Sequence, residues 1–225
     1  MVISEEEMYS CSRFFEEQFA LNDYIGQTGA RIPFDVKWGS VPILLSAPHA
    51  TKLVRNNQIK EQDDYTGTIG LLLQRYTNCH LIYTTRCTSE DPNFVIGGAY
   101  KEQIKKIATL FDIQYVIDLH GASKGRAFDV DLGTQYGVTI NQNVVDQLRE
   151  TFKKYNIMNA CENSAFPATH PGTVTSYCYH ELGLQSLQME FNKKFRDPKE
   201  NVELFISMVQ ALQEFICILQ EYELL

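Results

Sequence analysis

The sequence predicts a single α/β domain, with helices packed on both faces of a mainly parallel or mixed sheet. Three observations predict it. Short apolar runs alternate along the chain with longer segments whose apolar residues recur at helical spacing. Several of the runs are too apolar to have a face in water, as expected for strands covered on both sides. No repeat, low-complexity tract or linker divides the 225 residues, and 44% hydrophobic with 21% charged residues is ordinary globular usage.

In chain order, residues 4–20 read as a helix, with Met8, Phe14, Phe15 and Phe19 near one stripe and Glu5, Glu6 and Glu7 in its first turn. Acidic groups there suit the positive end of the helix dipole. "ARIPFDVKWGSVPILLSAPH" reads as two strands joined by a turn at Lys37–Ser40, and "RNNQIK" (55–60) as a solvated loop. A helix over 63–77 follows, with Ile69, Leu72, Leu73 and Tyr76 at helical spacing, then the strand "HLIYTT" (80–85). Residues 98–111 form a helix carrying Ile104, Ile107, Ala108 and Phe111, and "YVIDLHG" is a buried strand.

"AFDVDLG" (127–133) alternates like a strand with one wet face, 142–155 is helical, and "LQSLQMEFN" (184–192) is strand-like. The last helix opens with "DPKE" (197–200), aspartate at the cap and proline at the first helical position. Val202, Phe205, Ile206, Val209, Leu212, Phe215, Ile216 and Leu219 follow at i, i+3, i+4 spacing.

Net charge is −8, which argues against a nucleic-acid backbone as partner, since that contact needs a basic face. The acidic N-terminus lacks the apolar core of a signal peptide, and no stretch is expected to approach the ~20 apolar residues of a membrane span. Six scattered cysteines without a C-x-x-C pair read as reduced thiols. The expectation is a cytoplasmic protein with no membrane or nucleic-acid partner.

Two strand-like runs, "LLSAPHA" (44–50) and "VIDLHGA" (116–122), each deliver a histidine where the strand ends. Ligand sites in α/β sheets are built at the carboxyl ends of strands. His49 and His120 on neighbouring strands can therefore meet at one point, and two histidines with a carboxylate leave a zinc ion one position for water. Lys52 stands where an H-x-x-E pair would put glutamate, so the carboxylate must come from the next acidic cluster, Glu61, Asp63 or Asp64. Glu190, on a mainly apolar strand, has the character of a general base whose pKa is raised by burial. Asp118 reads equally as an orienting partner of His120 or as a satisfied buried acid.

"SAPHA", "K-x-x-D-x-x-T-G" (Lys60, Asp63, Thr66, Gly67), "DPN" (91–93), "DLHG" (118–121), "PGT" (171–173) and "LQ-x-E-x-N…R" (187–196) occur in that order. The chain so resembles the N-formylglutamate amidohydrolase family, related in fold to zinc carboxypeptidases and aspartoacylase, from about residue 40 to residue 198. The resemblance implies a three-layer α/β/α, hydrolase-like fold and a zinc-dependent hydrolase of non-peptide C–N bonds. It implies His49, Asp63 and His120 as metal ligands and Glu190 as the catalytic glutamate. It also implies Arg86 and Arg196 as arginines that face or support the site.

Arg86 is then a candidate both for catalysis and for gripping a substrate carboxylate. His170 and Thr173, in "FPATHPGTV", are candidate substrate contacts, against the simpler reading of His170 as a loop histidine without a task. Ala50 and Gly121 depart from the segments of the better-studied members, which bears on the substrate more than on the metal chemistry. The expected substrate is a small acylated amino acid or similar amide. The rivals are a metal-free binding protein of the same fold and a cysteine hydrolase using Cys87 or Cys178.

Overall fold

The computed structural model describes residues 4–222 apart from positions 28 and 30, so the first three residues of the acidic N-terminus lie outside it. Its elements in chain order are α1 (Glu5–Tyr24), β1 (Phe34–Lys37), β2 (Val41–Ala47), β3 (Leu53–Arg55), β4 (Gln58–Lys60), α2 (Thr66–Thr77), β5 (Cys79–Thr84), α3 (Ala99–Phe111), β6 (Tyr115–Ala122), β7 (Val130–Gly133), α4 (Gln142–Lys154), β8 (Ala160–Glu162), α5 (Val174–His180), β9 (Gln185–Asn192), α6 (Lys193–Arg196) and α7 (Val202–Tyr222). A seven-stranded sheet runs β1-β5-β2-β6-β9-β7-β8, and β3 pairs with β4 as a separate hairpin. Strands β5, β2, β6 and β9 are mutually parallel, while β1 and β7 join β5 and β9 antiparallel. The sheet is therefore mixed around a parallel centre.

Strand alternation sorts the core into two layers. Ile43, Leu45, Ile117, Leu119, Leu187, Met189 and Phe191 face α1, α2, α4 and α7. Leu44, Ile82 and Val116 face α3 and α5 on the opposite side. Toward the carboxyl ends this second face turns polar: Val116 gives way to Asp118 and His120 along β6, and Ser186 to Gln188 and Glu190 along β9. Loops and the β3–β4 hairpin border that half, and a cavity forms between them and the sheet.

The α/β/α architecture agrees with the expectation, and most elements fall within a few residues of it. The departures have physical reasons. β1 and β2 are joined by the short turn expected, but β5 lies between them in the sheet. Phe14 does not join the α1 stripe and is 70% exposed, whereas Glu16 is buried. β7 has no wet face: Asp131 is buried and accepts the backbone N–H groups of Ser164, Ala165 and Phe166. A carboxylate saturated in this way replaces solvent.

"RNNQIK" is solvated as expected, but it is the turn and second strand of a hairpin rather than a loop. Asn56 and Asn57 take positive φ (53° and 61°), as a two-residue type I′ turn requires. At the C-terminal helix Asn201, not Asp197, provides the cap, its side chain accepting from the Leu204 N–H. Asp197 instead closes the turn after α6 by accepting from Lys199. Helix α7 is long and apolar enough by composition to cross a membrane, contrary to the expectation. Phe205, Met208, Val209, Leu212, Phe215 and Ile216 explain its apolarity, because all are buried in the core.

Candidate metal centre

β2 stops at Pro48, which lacks the N–H a ladder needs, and the following turn presents His49. Fourteen residues later the chain folds back, the Asp63 N–H donating to the His49 carbonyl at 2.8 Å. His120 lies two residues after Asp118 on β6, so both point to one face. Parallel pairing then sets Glu190 of β9 directly beside His120.

Each imidazole is held from behind by a carboxylate. His49 Nε2 is 2.9 Å from Asp91 Oδ1, and His120 Nε2 is 2.9 Å from Asp118 Oδ2. With those N–H groups donating to acids, the neutral rings would turn both Nδ1 lone pairs toward the cluster, as metal ligation requires. The two Nδ1 atoms face each other at 3.1 Å and face Asp63 Oδ2 at 3.2 and 3.3 Å. Three buried acceptor atoms at such distances repel unless a cation or proton lies among them.

These residues fit a divalent metal. A tetrahedral zinc with bonds of about 2.0–2.1 Å separates its ligand atoms by about 3.3–3.4 Å, close to the spacing found here. Protonation reflects the same crowding of acids. Burial disfavours charge on His120, but Asp118 and Asp63 outweigh it and lift its pKa to about 10. Burial also opposes the Asp63 charge, yet Lys60 and the two imidazoles hold that carboxyl well below its usual range. Asp91 is likewise held low, against burial, by His49 and Arg55.

The cluster opens into a cavity of about 400 Å³. Glu190 is 7% exposed at its wall, and burial pushes its pKa up to about 7; Gln188 donates to its Oε1 at 3.2 Å. His170 and Thr173 line the same cavity. The His170 ring stacks on Phe94 with centroids 4.9 Å apart, its Nδ1 accepting from the Gly172 N–H, so the loop histidine has packing work to do. Thr173 caps α5, accepting from Ser176.

The two arginines fall elsewhere. Arg86 does not line the cavity; its guanidinium donates to the carbonyls of Cys87 and Arg31 beyond the end of β5. Arg196 is buried behind Gly121, bonded to the Ala122 carbonyl and paired with Asp64 at 2.6 Å. Asp64 pairs with Arg196 and Glu61 with Lys52, whereas Asp63, itself paired with Lys60, places an oxygen beside both imidazoles.

The cavity's cations are Arg55 and Lys60, at either end of the β3–β4 hairpin; Lys60 stands in the K-x-x-D-x-x-T-G motif without a role assigned to it, and Arg55 was passed over because it read as loop. Lys60 Nζ lies 3.2 Å from Asp63 Oδ1, and Arg55 pairs with Asp91 while lying 5.1 Å over the Phe94 ring. Asp91 was missed as well, although the "DPN" motif carries it. Neither Cys87 nor Cys178 lines the cavity, and burial raises the pKa of both thiols, which weighs against a cysteine nucleophile.

No family model and no curated protein sequence matches the chain. Solved structures do. An N-formylglutamate amidohydrolase from Ralstonia eutropha JMP134 is 14% identical, with 84% of this chain and 97% of that one covered at a TM-score of 0.61. The chain has the fold of an N-formylglutamate amidohydrolase. A gene product from Agrobacterium tumefaciens matches at 12% identity, 85% and 96% coverage and a TM-score of 0.59. A bacteriophage poly-gamma-glutamate hydrolase matches at 12% identity, 87% and 93% coverage and 0.53. The resemblance carried by the six short motifs thus extends to the whole architecture.

Proposed function

We propose that this chain is a metal-dependent amidohydrolase, zinc being the first candidate ion, acting on a small N-acylated amino acid or related amide in the cytoplasm. The observation that carries the reading is the convergence of His49 Nδ1, His120 Nδ1 and Asp63 Oδ2 within 3.3 Å of one another, beside a buried glutamate. His49, Asp63 and His120 would hold the ion. When bound, such an ion supplies Lewis-acid polarisation of a carbonyl and a nucleophile available near neutral pH.

The remaining work falls to the chain's own groups. Asp91 and Asp118 fix the ring orientations and tautomers of the two histidines. Glu190 takes a proton from the attacking water and returns it to the leaving amine nitrogen, a task suited to a carboxyl with pKa about 7. Gln188, donating to Oε1, steers Glu190 toward the cavity with its other oxygen. Arg55 and Lys60 are placed to grip a substrate carboxylate in the role first given to Arg86. Arg196 acts at one remove, filling the space that a side chain at Gly121 would need.

Support for the reading comes from the fold shared with an amidohydrolase, from the fit of the donor set and from a cavity sized for a small molecule. Elemental analysis of protein purified without chelator tests it: about one zinc per chain is expected. Glu190→Gln should abolish amide hydrolysis while the metal stays bound. Loss of metal in that variant would reassign Glu190 as a ligand.

A further inference from the structure

One buried ionisable group has no part in the chemistry above. Lys101, in the first turn of α3, is 0% exposed and its Nζ donates to two carbonyl oxygens, Val95 and Gly172, each at 2.6 Å. Val95 belongs to the loop that follows Asp91. Gly172 belongs to the loop that carries His170 and Thr173. An ammonium buried without a directly paired carboxylate is costly, and burial lowers its pKa to about 8, although Asp118 and Asp91 favour the charge. Short bonds from a charged donor to two carbonyls are a strong compensation.

Other contacts bring the same two loops together beside this ammonium. A Cβ on Gly172 would lie 1.8 Å from the Phe94 carbonyl oxygen, so the backbones touch. Asn93 Oδ1 accepts the Val174 N–H at 2.7 Å, and Phe94 stacks on His170. One of these loops supports His49 through Asp91 and lines the cavity with Asn93 and Phe94; the other lines it with His170 and Thr173.

We propose that Lys101 is a positioning residue, an ammonium clamp that joins the Asp91 loop to the His170 loop so that ligand support and pocket wall move as one body. The proposal rests on the metal reading for its effect on zinc, and on geometry alone for the clamp. Lys101→Met keeps the length and apolar stem but leaves both carbonyls without a donor.

The test combines zinc affinity, by competition with a chelator, and native-state hydrogen exchange on the full chain. In Lys101→Met, zinc binding should weaken about tenfold, the range seen when support of a ligand is lost. Exchange should accelerate together in residues 91–97 and 164–173 while β2, β6 and β9 stay protected. Should Lys101→Met fail to fold, Gly172→Ala, which wedges the same two backbones apart, must show both effects. Unchanged exchange in either loop, or zinc affinity within twofold of the parent, overturns the clamp. A parent protein that binds no zinc sinks the metal reading instead, leaving the clamp to be judged by exchange.

Discussion

Asp91 touches no substrate in this account, yet His49 depends on it. Its Oδ1 fixes Nε2 of the ring, and its other oxygen meets Arg55, so one carboxylate sets a ligand's orientation and anchors a cavity cation. Asp91→Asn should weaken zinc binding about 10- to 100-fold with the fold retained, measured by chelator competition beside a thermal melt. Unaltered affinity would show that His49 is held by its turn alone. At this scale the sequence was legible where stiff strands ended. His49 and His120 stood out because imidazoles interrupt apolar runs, and Asp118 because it lies two residues from one of them on the same strand face. Asp91 sits among proline, asparagine and other turn residues, where an aspartate ordinarily serves its own backbone, as it does here in accepting from Asn93.

Among the elements, α1 docks through a buried acid that the apolar stripe concealed. Glu16 accepts from Tyr24 Oη, from the Tyr65 N–H and from Thr68 Oγ1, closing the start of α2. Burial pushes its pKa from 4.5 to about 7. An acid whose folded pKa is raised favours the folded state while protonated, so its contribution is complete below pH 4.5 and is lost as pH rises through about 7. Glu16→Gln stays neutral and offers Oε1 to the same two donors. The variant should therefore be more stable than the parent above pH 7, by about 1–3 kcal/mol, with the difference vanishing near pH 4. Denaturant melts across that range check it, and a constant difference would contradict the assignment. The β3–β4 hairpin escaped the sequence reading because its strands span only three residues each, too short for a period of two to declare itself.

Over the whole molecule, alternation does most of the organising. One sheet face is apolar from end to end; the other is apolar under α3 and α5 and polar toward the carboxyl ends, where loops and the β3–β4 hairpin border it. That division was readable as a fold class, because parallel strands covered on both faces leave continuous apolar runs. The strand order and the placement of Arg86 away from the cavity were not, since both depend on which strands pair at long range. Saturating zinc, at about a hundred times its dissociation constant, should stabilise the folded chain by about 2.7 kcal/mol and raise Tm by roughly 5–10 °C. His120→Ala should remove that response.

X-ray absorption at the zinc edge of the loaded protein probes the cation-binding cluster most directly. Two imidazole nitrogens and a carboxylate oxygen at about 2.0–2.1 Å, one ion per chain, are the expected ligands. Sulfur in the coordination sphere, or an ion that His49→Ala and His120→Ala leave in place, would contradict it.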